Sequence, residues 1–140
     1  MPEPIATPDE INTFLEAFPE GVPWTVNHVD ADAVTIELPE RWVALRPGGS
    51  VSGPTLMMLA DSGGYATVLG YVGLHALSVT SSLSIEFLRR PWPGAMIAVS
   101  RPLKLGRSLV VANVEIYSAG RDELVAHSTV TYSMALVTPG

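Results

Sequence analysis

Between Gly53 and Leu74 the chain reads GPTLMMLADSGGYATVLGYVGL, and Asp61 is the single charged residue in that stretch. Apolar residues lie on all sides of a helical projection through Val72, the pattern of a helix enclosed by other elements. Pro54 suits the first turn of such a helix, with Gly53 or Ser52 near its cap. Burying an unpaired ionised carboxylate is expensive unless something binds it or its pKa rises. A fold that encloses this helix therefore needs a use for Asp61. Gly63, Gly64 and Gly70 each weaken helix propensity by about 1 kcal/mol relative to Ala. That loss fits positions where backbone must approach backbone closely. Asp61, Pro54, four later glycines and several Ser and Thr residues argue against a membrane span, so the expectation is a buried helix in a soluble fold with no membrane contact.

The flanks have a different character. Thr7-Pro8-Asp9-Glu10 reads as a helix start, with a hydroxyl cap, proline at the first position and acids in the first turn. Ile11, Phe14, Leu15 and Phe18 follow at helical spacing, and Pro19-Glu20-Gly21 ends the helix. Residues 22–29 and 33–38 read as two strands around a turn at His28–Asp32, and Arg41 to Leu45 as a short third strand. Arg46–Ser50 is a loop by composition. After Gly73 the period becomes two: Leu77, Val79, Leu83, Ile85 and Phe87 on one side, Ser78, Thr80, Ser82, Ser84 and Glu86 on the other. Ala95–Leu105 is a strand, with Pro102 marking a bulge or an edge. Gly106-Arg107 reads as a tight hairpin turn. Ser108–Tyr117 and Leu124–Leu136 complete an antiparallel meander. The whole is α+β, an antiparallel sheet wrapped around one long central helix. Length predicts a single domain over residues 1–140, with 1–20 as an N-terminal helical extension.

Charge is unevenly spread. Residues 1–40 hold nine acids and no Lys or Arg, whereas five of the eight bases, Arg89, Arg90, Arg101, Lys104 and Arg107, fall in one short segment. Local positive charge on an acidic chain suits a small anion. Nucleic acid is not expected, since no broad basic stripe laced with aromatics exists. There are no cysteines, so thiolate metal sites and disulfides are excluded. His28, His75 and His127 show no metal-ligand spacing, and no metal is expected. The N-terminus lacks the basic and apolar regions of a signal peptide, so a cytoplasmic location is expected. The high apolar content of a short chain suggests that part of its surface lies in an oligomer interface.

Several motifs fall in a recognisable order. Ser52-Gly53-Pro54 through Ala60-Asp61 matches a pattern HGG-x5-A-[DE]. Ser84–Pro91 resembles an "NFLRP" strand, Pro93-Gly94 a "PG" turn, and Leu103–Ser108 an "LGRR" hairpin. Over roughly residues 40–136 the chain resembles the hotdog fold and, within it, the PaaI-like acyl-CoA thioesterases. It departs from them at Ser52, where the motif has histidine, at Pro54, where it has a second glycine, at Arg46, where relatives often carry Asn or Gln, and at Tyr65, where some carry a small hydroxyl residue.

The resemblance implies hydrolysis of a small or medium acyl-CoA thioester without metal or redox cofactor, coenzyme A being part of the substrate. Gly53 would supply a backbone N–H to the oxyanion, as a helix N-terminus is suited to do. Asp61 would act as general base on water or as nucleophile. Along one helix these two residues lie about 12 Å apart at 1.5 Å per residue, too far to share one carbonyl. The resemblance resolves this by placing the site at a homodimer interface, with a dimer of dimers as the larger assembly. It places the coenzyme near Arg89, Arg90, Lys104 and Arg107, whose charges suit phosphates. Ser52, Pro54, Tyr65 and Arg46 join the substrate-binding candidates from the motif, and Thr80 and Ser82 as lining of a pantetheine or acyl channel. The rival function is a hotdog protein that binds an acyl ligand without cleaving it. A hotdog hydratase or dehydratase is a third reading, disfavoured because no histidine stands near Asp61 in the motif.

Overall fold

The computed structural model describes residues 2–134. Helix α1 spans Pro8–Glu16. Thr7 caps it as expected: its hydroxyl accepts from the Glu10 N–H at 3.1 Å while the Glu10 carboxylate accepts from the Thr7 N–H at 2.9 Å, a reciprocal box that satisfies two otherwise orphaned donors. Ile11 and Leu15 are buried beneath it.

Strands β1 (Thr25–Val29) and β2 (Val34–Leu38) form a hairpin. Its turn is built on Asp30, whose carboxylate accepts from the Asp32 and Ala33 N–H groups at 2.7 and 3.0 Å. These backbone bonds and the adjacent His28 hold the Asp30 carboxyl below its usual range. The predicted strand over Arg41–Leu45 is not formed. Glu40–Trp42 is a single 3-10 turn, and Leu45 alone bridges to Val51. Pro39 caps the turn, and the Pro47-Gly48-Gly49 loop brings the chain straight back, leaving no length for a ladder.

Helix α2 spans Gly53–Tyr71, with Ser52 as its cap. Strands β3 (Ser78–Phe87), β4 (Met96–Leu105), β5 (Leu109–Ser118) and β6 (Leu124–Met134) follow. All six strands make one antiparallel sheet in the order β1-β2-β4-β5-β6-β3. Residues 135 and 136 of the predicted last strand lie outside the described residues. The β4–β5 turn centres on Arg107-Ser108, closed by the Gly106 N–H donating to Leu109 at 2.8 Å, one residue beyond the predicted position. The expected bulge in β4 lies between Pro102 and Lys104.

One face of the sheet packs on α2, and this interface is the core. Val34, Ile36, Leu38, Met96, Ala98, Val114, Ile116 and Val130 from the strands bury against Leu59, Ala60, Ala66, Val68 and Leu69 of the helix. The helix glycines permit the approach, though onto strand side chains and not onto backbone as expected. A methyl at Gly64 would lie 2.8 Å from a Val130 methyl, and one at Gly63 would lie 3.0 Å from Val114. A buried hydroxyl pair, Thr67 and Ser100 at 2.6 Å, ties α2 to β4.

Two further expectations need correction. First, α2 is not enclosed on every side within the chain. Pro54 and Met57 are exposed, and Met58, Asp61, Ser62 and Tyr65 are half-buried, so one stripe of the helix is open. Second, the alternation along β3 changes phase. Thr80 pairs with Tyr132 and Ser82 with Thr131, which makes Ser81 an extra residue in a bulge. Paired residues share a face, so Ser78, Thr80, Leu83, Ile85 and Phe87 face the helix layer. Val79, Ser82, Ser84 and Glu86 lie on the other face.

The two edges of the sheet differ. At β1 the Asn12 side chain donates to the Val26 carbonyl at 2.9 Å and accepts from the Val26 N–H at 2.8 Å, so α1 blunts that edge. At β3 the outer edge has no strand partner among the described residues.

Candidate active site

The first turn of α2 supplies a donor. Ser52 Oγ accepts from the Thr55 N–H at 3.2 Å and lies 2.7 Å from Thr55 Oγ1. Its hydroxyl is therefore engaged in capping. Gly53, the first helical residue, has no carbonyl one turn back to bond. It lines a cleft of about 430 Å³ together with Arg46, Ser50, Val51, Leu56, Phe87, Leu88, Arg89, Arg90 and Pro91. Three cationic side chains thus share a cleft with a helix N-terminus, a setting suited to an anion or a developing oxyanion. Arg90 also donates to the Gly48 carbonyl at 2.8 Å, and Arg89 to the Leu124 carbonyl at 2.9 Å and to Glu123 at 3.3 Å. Both guanidiniums are held in place at the cleft by these contacts. Pro54 is exposed beside it.

Two turns along α2, Asp61 is half-buried on the open stripe of the helix. Its Oδ1 accepts from Thr80 Oγ1 at 2.6 Å and from the Tyr132 hydroxyl at 2.9 Å. The same hydroxyl lies 3.0 Å from the Asp61 main-chain carbonyl. Oδ2 has no hydrogen-bond partner among the described residues. The carboxylate is thus held by one oxygen and open at the other. Tyr65, one turn beyond, stacks on Tyr132 with ring centroids 6.1 Å apart, and burial raises its phenol pKa.

Of the predicted residues, Gly53, Arg46, Arg89 and Arg90 come together at the cleft, and Asp61, Thr80 and Tyr65 come together around the carboxylate. Ser82 is separated from Thr80 by the bulge and lies on the opposite face of the sheet. Lys104 and Arg107 sit at the far end of β4 from Arg89 and Arg90. A ten-residue strand spans about 30 Å, so within one chain the basic segment is not one cluster. Tyr132 was not among the predicted site residues. The one signal for it was its place on the buried phase of β6, alternating with Ser128 and Val130. His75 is packed edge-on against Phe14 and takes no part in either group. No helix among the described residues is long and apolar enough to cross a membrane.

Comparison with known proteins places this geometry in a family. The family model for the thioesterase superfamily matches residues 48–132, which include α2 with Asp61, strands β3, β4 and β5, and β6 up to Tyr132. A crystal structure of a candidate thioesterase from Silicibacter sp. TM1040 is similar at a TM-score of 0.86 and 38% identity, covering 95% of this chain and 94% of that one. A thioesterase from Haemophilus influenzae shares the fold at a TM-score of 0.80 and 18% identity, covering 96% and 94%. A candidate esterase of Thermoplasma acidophilum is 25% identical over 118 residues, 84% of this chain and 88% of that protein. With its six-stranded antiparallel sheet packed on one long helix, this chain has the hotdog fold and belongs to the thioesterase superfamily.

Proposed function

We propose that the protein is an acyl-CoA thioesterase that works as a homodimer paired across β3, or as a dimer of such dimers. One observation carries the reading. Asp61 is bonded to Thr80, near the start of β3, whereas Gly53 lies beside Phe87, at its end, where an added methyl would be 3.8 Å from the Phe87 ring. Antiparallel pairing of β3 with its copy sets the start of one strand against the end of the other. It therefore sets the Asp61 of one copy near the Gly53 of the other, a meeting that a single helix forbids. The same pairing puts the Lys104/Arg107 end of one sheet at the same end of the joined sheet as the Arg46, Arg89 and Arg90 cleft of its neighbour, four strand spacings or about 19 Å away. Only an extended anionic ligand such as coenzyme A would bridge that separation. The outer edge of β3, which has no strand partner among the described residues, the open stripe of α2, and Leu77 and Val79, at 60% and 66% exposed, are the surfaces such a pairing would cover.

In the reaction, a water oxygen attacks the thioester carbonyl carbon while Asp61 takes the water proton. The Gly53 N–H donates to the oxyanion of the tetrahedral intermediate. Collapse breaks the carbon–sulfur bond, and the thiolate leaves with the proton that Asp61 had taken, giving a carboxylic acid and free coenzyme A. Attack by the Asp61 carboxylate itself, followed by hydrolysis of the anhydride, has the same balance.

The test is release of free thiol from short, medium, long and aromatic acyl-CoAs. Asp61→Asn should lower kcat about 100-fold or more, in the range of a lost general base, with the oligomer intact. Unchanged turnover would remove Asp61 from the mechanism. Thermal stabilisation by acyl-CoA with no thiol released would make the protein a binder instead, a reading that the capped Ser52, standing where the family motif has histidine, favours. A monomer by sedimentation at assay concentration would refute the shared site.

A further inference from the structure

We infer that Tyr132 is a positioning residue for Asp61: it fixes the carboxylate with one oxygen held and the other presented to the reacting water. The inference rests on the function proposed above and adds a residue that the sequence did not point to.

Three features build the arrangement. The bulge at Ser81 sets Thr80 directly opposite Tyr132 on the helix side of the sheet, so hydroxyls from two neighbouring strands converge on a single atom, Asp61 Oδ1, at 2.6 and 2.9 Å. Were Ser81 paired in regular register instead of bulged, it would stand opposite Tyr132, and Thr80 would move opposite Ser133 on the far face. Gly64 lets the tyrosine ring in beneath the helix, since a methyl there would lie 3.0 Å from Tyr132 Cε1. Tyr65 covers the ring from the helix side at 6.1 Å.

The Tyr132 hydroxyl has one proton and two acceptors within reach, Oδ1 at 2.9 Å and the Asp61 carbonyl at 3.0 Å. It therefore anchors the backbone and the side chain of the same residue and restricts the rotation that would swing the carboxylate away. Tyr132 is 5% exposed. Burial, with the neighbouring Asp61 charge, raises its pKa well above the ordinary phenol value, against an opposing effect of Thr80 that is smaller than that of burial, so it keeps its proton, and its role as donor, beyond the pH at which an exposed phenol ionises. Because Thr80 and Tyr132 both occupy Oδ1, Oδ2 is the oxygen left to accept the proton of water.

The test is Tyr132→Phe, which keeps the ring and removes the hydroxyl, made in the wild type and in Asp61→Asn. Small misplacements of a catalytic group have large kinetic effects, so Tyr132→Phe should lower kcat roughly 10- to 100-fold and leave KM within about twofold. In the Asp61→Asn background the same change should have no further effect on residual turnover, because a residue that acts through Asp61 has nothing left to position. Tyr71→Phe removes a different buried hydroxyl, one that donates to the Asp30 carbonyl at 2.6 Å, and serves as a control that should leave kcat unchanged. If Tyr132→Phe does not fold, Tyr132→Met, unbranched and without a donor, takes its place. A wild-type kcat in Tyr132→Phe, or an equal loss in both backgrounds, overturns the positioning role while leaving Asp61 in the mechanism. A wild-type rate in Asp61→Asn overturns the proposed function itself, and the positioning role with it.

Discussion

Replacing Gly64 by alanine tests the packing that places the site, and two opposed effects can be weighed. Alanine is the better helix former by about 1 kcal/mol. Against this, the new methyl would sit 2.8 Å from Val130 Cγ1, 3.0 Å from Tyr132 Cε1 and 3.2 Å from Val130 Cβ. Val130 and Tyr132 stand on a strand paired on both sides, so neither can retreat without moving β6. Overpacking of this kind costs about 1–3 kcal/mol. The contacts are closer than at the other helix glycines, which favours the upper part of that range and a net loss of about 1–2 kcal/mol. With a urea slope of about 2 kcal/mol per molar, the midpoint should fall by about 0.5–1 M. Gly70→Ala is the internal comparison. Its methyl would meet only the Val34 and Val29 methyls, at 3.1 and 3.4 Å, and the change should be neutral or stabilising. Urea titrations at one fixed protein concentration, as an oligomer requires, compare the two variants. A Gly64→Ala protein more stable than wild type would mean that helix propensity alone governs the position, and the close approach of α2 to β6 would be refuted.

Two further outcomes follow from buried polar groups. Thr67→Val leaves Ser100 Oγ without its 2.6 Å partner in the core and should destabilise by about 1–3 kcal/mol. Adding Ser100→Ala should restore much of that loss, and thermal melts of the single and double variants check it. Burial, reinforced by the charges of Asp30 and Asp32, pushes the Tyr71 phenol up to about 12. Since the folded state then holds its proton more tightly than the unfolded state, the contribution of Tyr71 to stability should be constant below about pH 10 and decline between about 10 and 12 as the unfolded chain ionises first. The decline should be shallower in Tyr71→Phe, as followed by denaturant midpoints across that range.

Much of the fold was legible because local chemistry and tertiary structure agree. The hydroxyl cap at Thr7, the Pro54 helix start and the bulge near Pro102 are each marked by a residue whose own backbone preference is local, and each formed within a residue or two of its expected place. The failures have a common cause. Arg41–Leu45 carried a plausible strand composition but had no neighbouring strand to pair with. The phase of β3 was misread because a bulge costs a sequence nothing visible: Ser81 is one more polar residue among Ser and Thr, and only the β6 register shows it to be extra. Lys104 and Arg107 are close to Arg89 and Arg90 in sequence yet lie at opposite ends of β4, because an extended strand separates what a helix would keep near.

The linear chain by itself determined that a long apolar helix carries one carboxylate, that its first turn offers a glycine N–H, and that antiparallel strands follow. Those are consequences of periodicity and of local backbone preference. That the first of these strands, β3, pairs with the last, β6, and not with β4 as a simple meander would require, was not in the chain alone. Which groups meet that carboxylate was decided only by tertiary structure. Thr80 is separated from Asp61 by a loop and Tyr132 by three strands, and their convergence depends on strand register, the bulge at Ser81 and the absence of a side chain at Gly64. Register is set by the summed packing of whole strands against the helix, so no short stretch of sequence contains it.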